Sequence, residues 1–265
     1  MARRYLSVNL SPEQLRFVKL LDEYELDIFT INNIRQSIGK DFRNLNEVLE
    51  NLVQKEILSR IEQGKYCRHN FRDELVISQY LVSDAIVGYW TALNKHGLTE
   101  QFPNTIFVQT SKIKSEKKVF GVTYKFIKVI PRKMIGFEKQ GFGNHQYRMS
   151  DNEKTIVDCF DLPQYSGGFA ELIRAFDQIN PDQKKLIKYT KAINNKAAMK
   201  RMAFLAVILQ KTGMEDFVDF AEKQVNPKYN LFDPFSPEKG EFVSEWKLRL
   251  NVSRDEILSI CQKEY

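Results

Sequence analysis

Cysteine is scarce in this chain, and what there is stands apart. Cys67, Cys159 and Cys261 form no CxxC pair and leave an odd count, so neither a disulfide framework nor a thiolate zinc site is expected. Histidine is as thin. His69, His96 and His145 share no ligand spacing with one another or with a cysteine, which argues against a metal centre and for surface or helix-end positions. Long apolar runs are missing too: the longest, 202–209, is too short to span a bilayer, and residues 1–10 have no apolar core of signal-peptide length. A cytoplasmic protein with reduced thiols and no membrane contact is therefore expected. Gly141-Phe142-Gly143 and Gly167-Gly168 fit neither GxGxxG nor GxxxxGK, the patterns that cradle phosphates, and read as flexible loops. No nucleophile stands beside a base and nothing calls for a cofactor, so the residues make no positive case for an enzyme.

What is present is enough apolar material for real cores, 43% of 265 residues, in one large or two ordinary domains. The net charge of +6 favours polyanionic partners only weakly, but its distribution is uneven. Residues 112–154 hold eleven basic and four acidic residues, and residues 184–211 hold eight basic and none acidic. Residues 1–70 are nearly balanced, with eleven basic against ten acidic, and the tail from Thr212 is net acidic.

Near the N-terminus, Ser11-Pro12-Glu13-Gln14 is a capping box with proline at the first helical position, followed by Leu15, Val18 and Leu21. Thr30 can cap a second helix over 31–37, which Gly39 stops. From Asp41 a third helix is expected, with Phe42, Leu45, Val48, Leu49 and Leu52 on one stripe and Arg43, Asn44, Asn46, Glu47 and Asn51 opposite. Two short strand-like runs follow, 57–61 and 66–68, joined by Glu62-Gln63-Gly64-Lys65, where Gly64 supplies the positive φ of a tight hairpin. Three helices and a wing in this order spell a winged helix-turn-helix, whose third helix enters a DNA major groove. Arg and Asn are the side chains that pair with guanine and adenine edges there. A small helical protein-interaction domain would use the same packing.

Beyond Phe71 the pattern changes. Ser83 is expected to cap a helix carrying Ile86, Tyr89, Trp90 and Leu93 that Gly97 ends; 105–110, 118–130 and 145–149 read as strands. Ser150 with Glu153 forms a second capping box, before Ile156, Val157 and Phe160. Helices are expected over 169–179, from Asn180-Pro181, over 195–212 and around Phe217, then a strand over 245–250, and Ser253 with Glu256 caps a last helix. The whole reads as an α+β protein: a winged helix-turn-helix over 1–70, then a larger mixed α/β domain over 75–265 with a small sheet and a helical C-terminal half.

Two clusters bear on chemistry. Asp151, Glu153, Lys154 and Asp158 crowd one helix start, so a metal-dependent nuclease or RNA-acting enzyme centred on Asp151, Glu153 and Asp158 is the alternative reading; capping by Glu153 and dipole complementation by Asp151 explain the same residues structurally. Lys184, Lys188, Lys191, Lys196, Lys200 and Arg201 form an acid-free run that is either a solvated face or a polyanion surface. Lys196, Lys200 and Arg201 are expected on one face of their helix, with Met202, Leu205, Ala206 and Leu209 buried on the other.

Several segments together resemble the AbiEi-type antitoxins, regulators in phage-defence toxin–antitoxin systems of type IV. They are the hairpin ending in Glu62-Gln63-Gly64-Lys65-Tyr66, the stretches 88–93 and 96–103, the stretch 151–159, Gly167-Gly168 and the terminal 246–252. Their order and spacing cover nearly the whole chain. The resemblance implies an autorepressor, active in abortive infection, that binds inverted repeats in the double-stranded DNA of its own promoter. It implies a larger domain that counters a neighbouring nucleotidyltransferase toxin, in some members without a stable complex. Lys40, Arg43, Asn44 and Asn46 would contact bases or phosphates, with Gln63, Lys65 and Arg68 on the wing. Glu47 and Glu50 depart from what a reading helix needs, since an unpaired acid repels phosphate.

Overall fold

The computed structural model of the chain describes residues 9–37 and 42–262. Helix α1 (Pro12–Glu23) starts as its sequence requires: the Gln14 N–H donates to Ser11 Oγ at 3.2 Å, and the Ser11 N–H donates to the Gln14 side chain at 3.1 Å. Strand β1 (Ile28–Thr30), helices α2 (Ile31–Ser37) and α3 (Leu45–Gln54), and a hairpin of β2 (Leu58–Glu62) and β3 (Lys65–Arg68) follow. The strands form an antiparallel sheet in the order β1-β3-β2. Phe17, Leu21, Val48, Leu49 and Leu52 pack beneath it with Phe29 and Tyr66. The expected helix stop at Gly39 and start at Asp41 lie outside the described residues.

Strand alternation places this sheet between two cores. Phe29 and Tyr66 point into the helical core, while their neighbours Ile28 and Cys67, with Ile61, point the other way. There they meet Leu75, Val76 and Leu81 of α4 (Glu74–Leu81) and buried residues of a second sheet. The sheet of β1, β2 and β3 is thus seated on the rest of the chain through apolar contact. Burial also pushes the Cys67 thiol up to about 12.

The second sheet comprises β4 (Ile86–Val87), β5 (Thr105–Thr110), β6 (Lys117–Val119), β7 (Val122–Lys128), β8 (Phe137–Gln140) and β9 (Tyr147–Ser150), with α5 (Tyr89–Lys95) between β4 and β5. Its order is β6-β7-β5-β4-β9-β8, parallel at β5/β7 and β4/β9 and antiparallel elsewhere. Two expectations give way here. The helix expected from Ser83 is a strand and a helix divided at extended Gly88, because Ile86 and Val87 pair with β5 and β9. The strand expected over 118–130 is a hairpin that turns at Phe120-Gly121, both at positive φ.

Helices α6 (Asn152–Asp161), α7 (Phe169–Gln178), α8 (Gln183–Ile193), α9 (Lys196–Ile208) and α10 (Glu215–Glu222) pack on this sheet. A small sheet of β10 (Asn230–Leu231), β11 (Glu241–Val243) and β12 (Leu248–Leu250) and helix α11 (Arg254–Gln262) close the fold, with Trp246 and Phe232 in the core. The architecture is mixed α and β. Among the described residues no helix is long and apolar enough to cross a membrane.

Candidate nucleic-acid interface

Helix α3 buries Leu45, Val48, Leu49 and Leu52 and leaves Asn46 and Glu47 exposed, with Arg43 and Asn44 exposed just before it. The helix begins at Leu45, so Arg43 sits in the preceding turn and Asn44 is the N-cap. The Glu47 N–H donates to the Asn44 side chain at 3.4 Å, and Asn44 Nδ2 donates to the Glu47 carboxylate at 2.8 Å. Glu47 is therefore a capping partner, and the Asn-x-x-Glu spacing already carried that signal. Glu50 is committed as well, paired with Arg60 and accepting from the Tyr66 hydroxyl at 3.2 Å. Both acids on this helix have cationic or polar partners. Arg35 of α2 donates to Asn46 at 3.4 Å, which links the outer faces of α2 and α3. Lys40 lies outside the described residues.

The hairpin is more engaged than its sequence suggests. Gln63 is exposed at the tip. Lys65 donates to Glu62 at 2.5 Å and to the Leu81 carbonyl at 3.2 Å. Two lysines ahead of and within β6 close on the same carboxylate, Lys117 at 2.8 Å and Lys114 at 3.3 Å. Burial pushes the Glu62 carboxyl up, but bonds from Lys117 and Lys65 and the fields of Lys65 and Lys114 outweigh it, and it comes down to about 2. Arg68 pairs with Asp22 and approaches Asp27 at 3.9 Å. Near it, His145 Nε2 lies 2.9 Å from Asp27, and Asn144 Nδ2 donates to the Glu25 carbonyl at 2.7 Å. The loop between β8 and β9 thus braces α1 and β1.

The acidic cluster on α6 is built into the fold. Asp151 is the N-cap in place of Ser150, accepting from the Lys154 N–H at 2.8 Å; Ser150 instead bonds Thr155 at 2.7 Å. Asp151 also accepts from the Tyr189 hydroxyl at 2.7 Å and from Lys185 at 3.2 Å, and Glu153 accepts from the Asp182 N–H at 2.9 Å. Asp158 and Lys154 form a sealed ion pair, with Gln109 donating to the same carboxylate. Burial pushes the Asp158 carboxyl up against the pull of Lys154. Asp158 is engaged by Lys154 and Gln109 while Asp151 and Glu153 share Lys185 of α8, and among the described residues no three His, Cys, Asp or Glu side chains stand where they could hold a metal.

The acid-free run divides. Lys184, Lys188 and Lys191 of α8 are exposed, with Lys191 also over the Phe220 ring at 5.1 Å; Lys196 is half-buried and donates to Gln224 at 2.8 Å. Lys200 and Arg201 are buried, which corrects the face expected for them. Lys200 donates to the Lys228 carbonyl at 2.6 Å and to Asn230 at 3.2 Å, and Arg201 forks onto the Leu231 carbonyl at 2.9 and 3.1 Å. Burial pulls both down, Arg201 to about 10. These two cations brace the chain leading into β10, because α9 is enclosed on nearly every side.

No protein-family model matches the sequence, and no curated protein matches it. Among solved structures, the crystal structure of the RV2827C protein from Mycobacterium tuberculosis has a similar fold. The two superpose with a TM-score of 0.66 over 96% of each chain, at 13% sequence identity.

Proposed function

We propose that residues 9–68 are a winged helix-turn-helix that binds double-stranded DNA, and that the chain represses its own promoter as the antitoxin of a toxin–antitoxin pair. Support for the DNA-binding part comes from the order α1-β1-α2-α3-β2-β3 with its antiparallel sheet, the arrangement in which the third helix docks in a major groove. The observation that carries it is the outer side of the start of α3, where Arg43, in the turn before the helix, and Asn46 stay exposed while the apolar stripe is sealed and the acids are occupied. Support for the antitoxin part, with a nucleotidyltransferase as functional partner, is the resemblance set out above. The large domain is the part that would act on that partner.

A gel-shift titration of the chain's own upstream region against random duplex tests the reading. Arg43→Ala is expected to weaken promoter binding roughly tenfold or more, the size of one lost paired contact to a base. Equal affinity for promoter and random DNA would reject it.

A further inference from the structure

The two basic stretches of the sequence meet in the fold at a place neither of them marks. A cleft of about 570 Å³ lies between the end of β7 with the turn after it and the corner joining α8 to α9. Lys128, Arg132, Lys133 and Lys196 line it together with Asn194 and Asn195. Its apolar lining is Ile130, about half exposed, with the partly buried Leu162 beside it. No carboxylate is in the lining, and Asp161, bonded to two lining residues, is taken by Lys133 at 2.6 Å and Asn195 at 2.9 Å. Lys128 and Arg132 are exposed and have no carboxylate partner among the described residues. Helix α9, 13 residues long, begins in the cleft with Asn195 as its cap, so its positive end adds to the same field.

Four cations around an open cleft with one exposed apolar side chain, and one acid already occupied, suit a ligand that carries repeated negative charge and flat apolar faces. We propose that this cleft binds single-stranded nucleic acid, its rim taking phosphates and Ile130 the face of a base. A concave site of this size admits one strand, whereas a duplex, whose major groove alone is about 12 Å wide, presents its phosphates on a convex surface. Strand-binding proteins combine a cationic groove with aromatic platforms for bases; here the cations are present and the exposed Ile130, an apolar side chain of the kind that also contacts extruded bases, takes the platform's place. The inference does not rest on the α3 reading.

The test is fluorescence anisotropy of the full chain with a labelled oligouridine of about 12 nucleotides, across salt concentrations. K128A/R132A is expected to weaken binding about tenfold or more. It should also flatten the slope of log affinity against log salt by about 1.4, at about 0.7 per single-strand phosphate contact. Its melting temperature should stay at the wild-type value, because both side chains are exposed and neither has a carboxylate partner among the described residues. K184A/K188A, exposed on α8 and outside the cleft, should bind as wild type. Absence of wild-type binding at low salt would overturn the proposal. So would equal losses in the two double variants, which would mark diffuse attraction to the whole surface. Displacement by polyglutamate as readily as by unlabelled oligouridine would assign the cleft to an acidic protein instead.

Discussion

Lys188 on α8 and Lys200 on α9 belong to one acid-free run, yet the first lies in solvent and the second is sealed from it. The same division runs through the N-terminal residues. Arg43 and Asn46 are exposed on and beside α3, whereas Asn44 caps that helix and Lys65 and Arg68 are tied into ion pairs. Residue type is alike in each pair; what differs is what packs around the side chain. A cation whose helix is enclosed must find carbonyls, as Lys200 finds Lys228 and Arg201 finds Leu231, because an unpaired buried charge is costly. A cation on an open face keeps its charge available. The groups left for a nucleic acid are to be sought among those that stay exposed, of which only some line a concave site.

The largest expected effect falls on a group the fold does use. Glu62 gathers Lys65, Lys114 and Lys117 at the hairpin tip and is held at about 2 instead of 4.5. A carboxyl lowered on folding contributes stability that is complete above its unfolded value and lost as pH falls from about 4.5 to about 2, about 3 kcal/mol at most and less once solvent screening is allowed for. Urea titrations through that window should show the loss, and Glu62→Gln should remove this part of the acid slope. An unchanged slope in the variant would mean that the lysines stand free, and the hairpin tip would move to the open side of the comparison.

Next in size is the contrast within the basic run. Lys200→Ala removes a fully buried side chain that bonds the Lys228 carbonyl and Asn230 and should cost about 1–3 kcal/mol. Lys188→Ala, in solvent, should stay within about 0.5 kcal/mol of wild type. Thermal melts of the two variants decide it. Equal melting temperatures would erase the distinction drawn between α8 and α9.

Local signals of the sequence carried much of the fold. The Ser11 and Ser253 capping boxes form as spelled, since each is a bond between residues three apart. Strand 105–110 forms as expected, the helix expected over 169–179 forms over 169–178, and the one expected over 195–212 forms over 196–208, ending before Gly213. At Ser150 the same logic slipped by one residue, because Asp151 is an equally good cap and Ser150 has Thr155 beside it. Helix α4, capped by Asp73 with bonds of 3.0 Å from Leu75 and Val76, was missed although its cap residue was in plain view. The candidate sites were less legible. Periodicity placed Lys200 and Arg201 on an outer face, but what encloses α9 comes from distant segments. The cleft joins Lys128 to Lys196, a neighbourhood that only the tertiary fold creates.

The smallest effect separates two roles for one residue. Asn44 was expected to contact DNA, and its side chain is engaged as the cap of α3. Asn44→Ala should lower stability by about 1 kcal/mol, the usual cost of a lost cap, and Asn44→Ser should restore most of it because serine caps as well. With capping as its whole role, Asn44→Ser keeps promoter affinity while Arg43→Ala loses it. If Asn44→Ser melts like wild type yet binds the promoter as weakly as Arg43→Ala, the amide reads DNA while it caps. A group used by the fold would then still be open to a ligand, and the division between committed and free side chains would fail at the residue nearest the proposed groove.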